Sequence, residues 1–396
     1  MRNKSIDTKT IIIYMFLVFA VILCVFAKET SQIAKKAIYL CLDTVIPSLF
    51  PFFVLSKIII PYVSFFPCPK FFKSIIERFF FLPYYTIFVI LLGFISGYPN
   101  GAKMTRDMLD QGALDYRQAN RLLPVANNCS PLFIIGTIGA GLFKSIKLGV
   151  FLLLIHWISG LIAAFITGKL AATLDSGSKG KSFYQTRDTR EYDLELRKKE
   201  IKPIILTGIF TSSIEEAAIL CIKVSGYIVF FAVFSELLSL LGVFSFLGRI
   251  IGLMFTGSSQ APGFSEFIAT LLKGIMEITS GAQAIYNIKS IQLNVQLAAI
   301  STIFGFAGFA VHTQIMGIMK GTGCKYSFLF LGKLLHGIIA GLLAFLAIYI
   351  MPMSVQTYAM ETITSFEMLW TRPVIIGILL ISLIISPHRT ITDAKK

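Results

Sequence analysis

The stretch DSGSKGKSFYQTRDTREYDLELRKKEIK at 175–202 decides how the rest of the chain is read. It is the one distinctly polar interior stretch in 396 residues that are 55% apolar and only 14% charged, with a mean hydropathy of +0.77. A water-soluble fold is excluded at that composition, so the expectation is an all-α polytopic membrane protein in which 175–203 is a charged linker with no core of its own. In a soluble protein, 36 Lys and Arg against 21 Asp and Glu, a net charge of +15, would suggest nucleic acid as a partner. Here the excess reads as cytoplasmic loops facing anionic lipid.

Outward from the linker, apolar segments fall at 37–62, 79–98, 122–143 and 147–174 on one side, and at 204–222, 226–258, 264–279, 291–319 and 327–351 on the other. About 20 apolar residues cross a bilayer core, so several of these are full spans and 79–98 and 264–279 are short or interrupted. The run IIIYMFLVFAVILCVFA at 11–27 follows Arg2, Lys4 and Lys9 and lacks a small-residue cleavage site, so 1–30 is a retained N-terminal anchor helix. A final apolar run, 372–386, lies in a C-terminal piece, 351–396, made of an extracytoplasmic loop, a helix and a cytoplasmic tail.

The halves on either side of the linker, 31–174 and 204–350, resemble each other. AIYLCLDTVIPSLFPFFV at 37–54 lies over AAILCIKVSGYIVFFAVF at 217–234; GFISGYPNGA around Ser96-Gly97 corresponds to MEITSGAQAI around Ser280-Gly281; and ANNCSPLFIIGTIGAG at 126–141 matches FGFAGFAVHTQIMGIM at 304–319. Basic residues place the N-terminus, linker and C-terminus in the cytoplasm, whereas 351–371 carries no Lys or Arg and faces away from it. The repeats are then inverted, and since four crossings would return the chain to its starting side, one element per half is read as re-entrant. Lys28, Lys35 and Lys36 stand against this scheme, because it puts them on the outer side.

Gly, Pro and Asn clustered inside apolar segments mark non-helical backbone, which is tolerated at membrane depth only when buried in protein or lining a watery cavity. Ser96-Gly97-Tyr98-Pro99-Asn100-Gly101 closes one helix and opens another, freeing carbonyl and N–H groups for a ligand. Asn127-Asn128-Cys129-Ser130-Pro131 opens a half-helix whose positive end points into the protein, with Ser130 or Asn128 as its cap. The bland alternative for both is an ordinary interhelical turn. Glu277, in LLKGIMEITSGA beside Ser280 and Gly281, is an intramembrane carboxylate, functional by default or else paired with a neighbouring helix. His312 and Gln314, in GFAGFAVHTQI, complete the candidate substrate-binding set, with a structural hydrogen-bonding histidine as the alternative for His312. His156 and His336 read as packing or interfacial, Glu215 and Glu216 as the polar face of an entry helix, and Lys103 and Arg106 as cations able to meet an anion at the GYPNG turn.

Nothing points to catalysis or a cofactor. The phosphate-binding, zinc-protease, serine-hydrolase and dinucleotide motifs are missing, and the six cysteines are scattered, with no C-x-x-C pair or neighbouring His to suggest a disulfide framework or metal site. A transporter built this way runs on a gradient, mass action or a partner protein.

GFISGYPNGAK at 93–103, NNCSPLFIIG at 127–136, GIMEITSGA at 274–282 and GFAGFAVHTQI at 305–315 together resemble the sporulation integral membrane protein family YlbJ, within the wider nucleoside-recognition or Gate group. The family tends to have Gly where this chain has Ser130. GFAGF is also similar to the re-entrant hairpin motif of concentrative nucleoside transporters, whose two inverted repeats with broken helices the fold is then expected to share. The resemblance implies transport of dipicolinic acid across the outer forespore membrane of an endospore-forming bacterium. On that reading Asn127, Asn128, His312 and half-helix N-termini receive carboxylates, Tyr98 stacks on the ring, and Glu277 is protonated, proton-coupled or orients Asn128 or His312. A nucleoside-like solute is the runner-up, and a non-transporting scaffold for spore assembly, using 175–202 as its partner surface, is the alternative from another class. Other sporulation membrane proteins or a second copy are possible partners.

Overall fold

The computed structural model describes residues 8–65, 68–176, 206–256 and 262–350. The linker and 351–396, with the topology argument that rests on them, lie outside the described residues. Every regular element described is helical.

The first half opens with α1 (Thr8–Val25) and α2 (Ala27–Leu40), which passes through a π-helical turn (Cys41–Val45) into α3 (Ile46–Ile59). Next come α4 (Lys70–Phe79) and α5 (Ile87–Ser96), whose 70–79 and 84–96 arms meet at 96°. That bend is the geometry of a broken span or a re-entrant hairpin. Two short helices follow, α6 (Asn100–Asp110) and α7 (Tyr116–Ala126), then a π-helix (Leu132–Leu142) and the long α8 (Ile146–Ser176). The second half contains α9 (Leu206–Leu240), α10 (Val243–Thr256), α11 (Pro262–Met276), α12 (Ile278–Asn287), α13 (Leu293–Phe306), α14 (Gly308–Ile318) and α15 (Tyr326–Ile350). Among the described residues five helical runs are long and apolar enough to cross a membrane, or six if the bent pair is one span.

Two expected boundaries move. The apolar segments 204–222 and 226–258 are not separate spans: α9 runs unbroken past Lys223 and Ser225, and the chain breaks instead at Gly242, whose φ is 72°. Lys223 and Ser225 are too few polar groups to stop a helix that packs along α2 and α3.

Packing follows the logic of a lipid solvent. Along α8, Leu154, Ile158, Leu161, Ile162, Phe165 and Ile166 are exposed, while His156, Ser159, Ala163, Ala164 and Thr167 are buried. On α15, Ile338, Leu342, Phe345 and Leu346 face out, and Lys333, His336, Ala340 and Ala344 face in. Large side chains gain nothing by leaving lipid tails, so small residues that allow close helix approach and polar groups that bond across helices take the interior. The long helices α8 and α15 pack on each other; α7 touches α15 while α13 touches α8, and α6 touches α14 while α12 touches the π-helix.

Candidate functional site

Four breaks in the helical chain lie close together. Gly97, at φ 84°, ends α5 in a conformation that glycine adopts without strain. Pro99 then precedes α6, after a cis Tyr98-Pro99 bond. Asn127 is extended (φ −109°, ψ 97°) and ends α7, itself opened by an Asp115–Gln118 capping box. Glu277 (φ −143°, ψ 119°) separates α11 from α12, and Ala307, left-handed at φ 73°, separates α13 from α14.

These breaks border one enclosed cavity of about 90 Å³. Ser96, Gly97 and Tyr98 supply one wall, Cys129 and Ser130 the next, Glu277 and Thr279 a third, and Ala307 and Gln314 a fourth. Thr44 and Val45 of the π-helical turn complete it beside Val224 and Ile228 of α9. A larger, more open groove of about 1080 Å³ shares Val224 and Gln314 with the cavity and reaches Pro99, so the two spaces are neighbours.

Of the residues expected at the site, Ser96, Gly97, Tyr98, Ser130, Glu277 and Gln314 line the cavity, and Pro99 lines the outer groove. The others hold the framework. Asn127 accepts from Ala102 N–H at 2.9 Å and donates to the Leu123 carbonyl at 2.8 Å, which ties α6 to α7. The Asn128 amide donates to the Val125 carbonyl at 2.6 Å, and its own carbonyl receives Tyr98 N–H at 2.8 Å. Gly101 packs against the Ala126 carbonyl and Gly281 against Gly274. Ser280 is held at the first turn of α12. His312 bonds the Phe306 carbonyl at 2.7 Å and the Tyr326 hydroxyl at 3.0 Å and sits outside the cavity, which supports the structural alternative.

Glu277 caps α12: its carboxylate accepts from Thr279 N–H at 2.9 Å and Ser280 N–H at 2.7 Å. A negative group at a helix N-terminus is favoured by both the orphan N–H groups and the helix dipole. Neither Asn128 nor His312 is its partner, so the expectation that it orients one of them is corrected. Ser130 plays the capping role expected of it, accepting from Phe133 N–H at 3.3 Å. The N-terminus of α6 is likewise capped, by Asn127. That of α14, at Ala307, has no side-chain cap and reaches the cavity wall, and the first N–H groups of a helix have no partner within it.

Lys103 and Arg106 are not free for an anion. Lys103 pairs with Asp107 and, at 3.3 Å, with Glu216, which also holds Lys57 at 2.9 Å; Arg106 pairs with Asp110 and with the carbonyls of Ile318 and Lys320. Glu216 is thus part of an ion-pair network joining α3, α6 and α9, not only the polar face of an entry helix. Sequence reasoning also missed Lys333, which is fully buried and donates to the Asn127 carbonyl. His156 and His336 are buried rather than interfacial: their rings lie 4.5 Å apart, His156 Nε2 accepts from Cys129 N–H at 3.0 Å, and His336 Nε2 donates to the His156 carbonyl at 2.9 Å. The available signal was their helical spacing, since Lys333 and His336 are three apart and share a face.

No family model matches the chain, and no solved structure matches it. Over 351 residues it is 28% identical to the sporulation integral membrane protein YlbJ of Bacillus subtilis (strain 168), across 85% of this chain and 82% of that protein. That similarity, together with the apolar helices, makes this a multi-pass integral membrane protein related to a sporulation integral membrane protein.

Proposed function

We propose that the protein is a carrier for a small organic anion, dipicolinic acid being the first candidate, working by alternating access across the outer forespore membrane. The observation that carries the reading is the convergence of four chain breaks on one buried cavity with a wider groove beside it. Broken helices at membrane depth cost backbone hydrogen bonds and are retained where they line a solute site. The helix order of the two halves supports an inverted repeat: a long helix, a helical hairpin, two broken pairs and a second long helix occur in each, and the contacts exchange between halves as a two-fold axis requires. On that reading the α4–α5 and α10–α11 pairs are the re-entrant elements, and the GFAGF motif at 305–309 lies instead at the α13–α14 break.

A dicarboxylate on a flat ring suits this cavity in three respects. The N-terminus of α14 at Ala307, which has no side-chain cap, offers N–H groups to a carboxylate, Tyr98 presents a ring for stacking, and the remaining wall is largely aliphatic. Glu277 already has both oxygens engaged by α12, which lowers its demand on a solute. One observation favours a nucleoside-like solute as the second reading: among the described residues Glu277 is the only acidic or basic side chain lining the cavity, and a carboxylate accepts from sugar hydroxyls. Thermal melting of the purified protein with dipicolinate, uridine and succinate separates the readings. Stabilisation by dipicolinate alone is expected, uridine alone transfers the case to the second reading, and silence with all three in a folded sample overturns the carrier.

A further inference from the structure

The buried polar cluster behind the Asn127–Ser130 break is not accounted for by packing. Lys333 has no exposed surface, and among the described residues its ammonium forms no ion pair; its hydrogen bond goes to the Asn127 carbonyl. An ammonium in such a place is costly unless a negative charge compensates it. The neighbouring histidines do not supply one. His156 Nε2 accepts a backbone N–H, so the neutral ring carries its proton on Nδ1, and that buried Nδ1 has no partner. Asn128 Oδ1 and His336 Nδ1 are also buried without partners. The carbonyl that Lys333 grips belongs to the break whose next residues, Cys129 and Ser130, form the cavity wall, and the Glu277 carboxylate on that cavity is bonded to Thr279 and Ser280 N–H.

We propose that Lys333 supplies the positive potential that makes the cavity select anions, acting from behind the wall through the Asn127–Ser130 break, and that the solute's carboxylate is its missing counter-charge. This rests on the carrier reading and deepens it by fixing the charge class of the solute. Lys333 does not touch the cavity, so its effect falls on charge preference and not on shape recognition.

The test uses the purified full-length protein and two ligands of one shape, dipicolinate and its neutral diamide, pyridine-2,6-dicarboxamide, with affinities measured by titration. Lys333→Gln keeps a donor for the Asn127 carbonyl and removes the charge. It is expected to weaken dipicolinate about tenfold or more while leaving the diamide within about twofold. Lys333→Arg keeps the charge and is expected to retain the dipicolinate preference. Equal weakening of both ligands by Lys333→Gln would assign Lys333 a structural role and overturn the proposal, as would unchanged dipicolinate affinity. If Lys333→Gln does not melt cooperatively, Lys333→Met, neutral and close in length, makes the same comparison; if that also fails to fold, loss of dipicolinate preference in a folded Lys333→Arg overturns the proposal and its retention supports it. Wild-type binding of both ligands with equal affinity defeats the anion proposal alone. Binding of neither defeats the carrier reading with it.

Discussion

Both halves of the molecule interrupt their helices beside the cavity, and they satisfy the broken backbone in different ways. In the first half the breaks are several residues long and held from outside: Asn127 caps α6 from 25 residues away, Asn128 receives Tyr98 N–H, and Lys333 reaches across from α15. In the second half each break is a single residue that provides for itself. Glu277 caps the helix that follows it, and Ala307 turns the chain by adopting a left-handed conformation. Breaks of the first kind couple several helices, so damage there spreads. Breaks of the second kind are local and fail locally.

This contrast can be broken by substitution, with the largest effect expected where helices meet most closely. A side chain at Gly101 points at the Ala126 carbonyl and forces α6 and α7 apart. Gly101→Val is therefore expected to cost roughly 3 kcal/mol in chemical unfolding, and a cost below about 1 kcal/mol would deny that the first-half breaks are tightly coupled. Asn127→Ala removes the side-chain bridge from Ala102 N–H, which keeps the Pro99 carbonyl, to the Leu123 carbonyl, two hydrogen bonds with an expected loss of about 2 kcal/mol. Glu277→Ala should be the mildest, about 1 kcal/mol for one helix cap. If Glu277→Ala proves more damaging than Asn127→Ala, the contrast between shared and self-contained breaks is reversed.

Much of this was legible in the sequence because Gly, Pro and paired Asn inside apolar runs have few explanations other than broken helices. The Gly97 turn and the Ser130 cap lie in the stretches where the sequence places broken helices, whereas Glu277, read as a carboxylate inside an apolar run, is itself a break between two helices. What could not be read was the direction of each side chain. Asn127 and His312 look like ligands for a solute, yet their polar atoms are used by the backbone and, at His312 Nδ1, by the Tyr326 hydroxyl, and only the fold shows which groups are near. Ala307 itself carries no signal, since alanine is an ordinary helix former, although Gly308 after it is left-handed too, at φ 63°. Lys333 escaped notice because a single lysine in a long helix reads as a residue near an interface, and its burial comes from the crossing of α15 with α7 and α8.

The central claim, that the breaks enclose a solute chamber, is tested most directly by filling that chamber. Ala310 on α14 lines the cavity and is almost fully buried, so Ala310→Phe places a ring in the space assigned to the solute. In proteoliposomes, exchange of labelled dipicolinate is expected for the wild-type protein and is expected to be lost in Ala310→Phe at an unchanged melting temperature. Undiminished exchange by Ala310→Phe, or no exchange by the wild-type protein, would contradict the account.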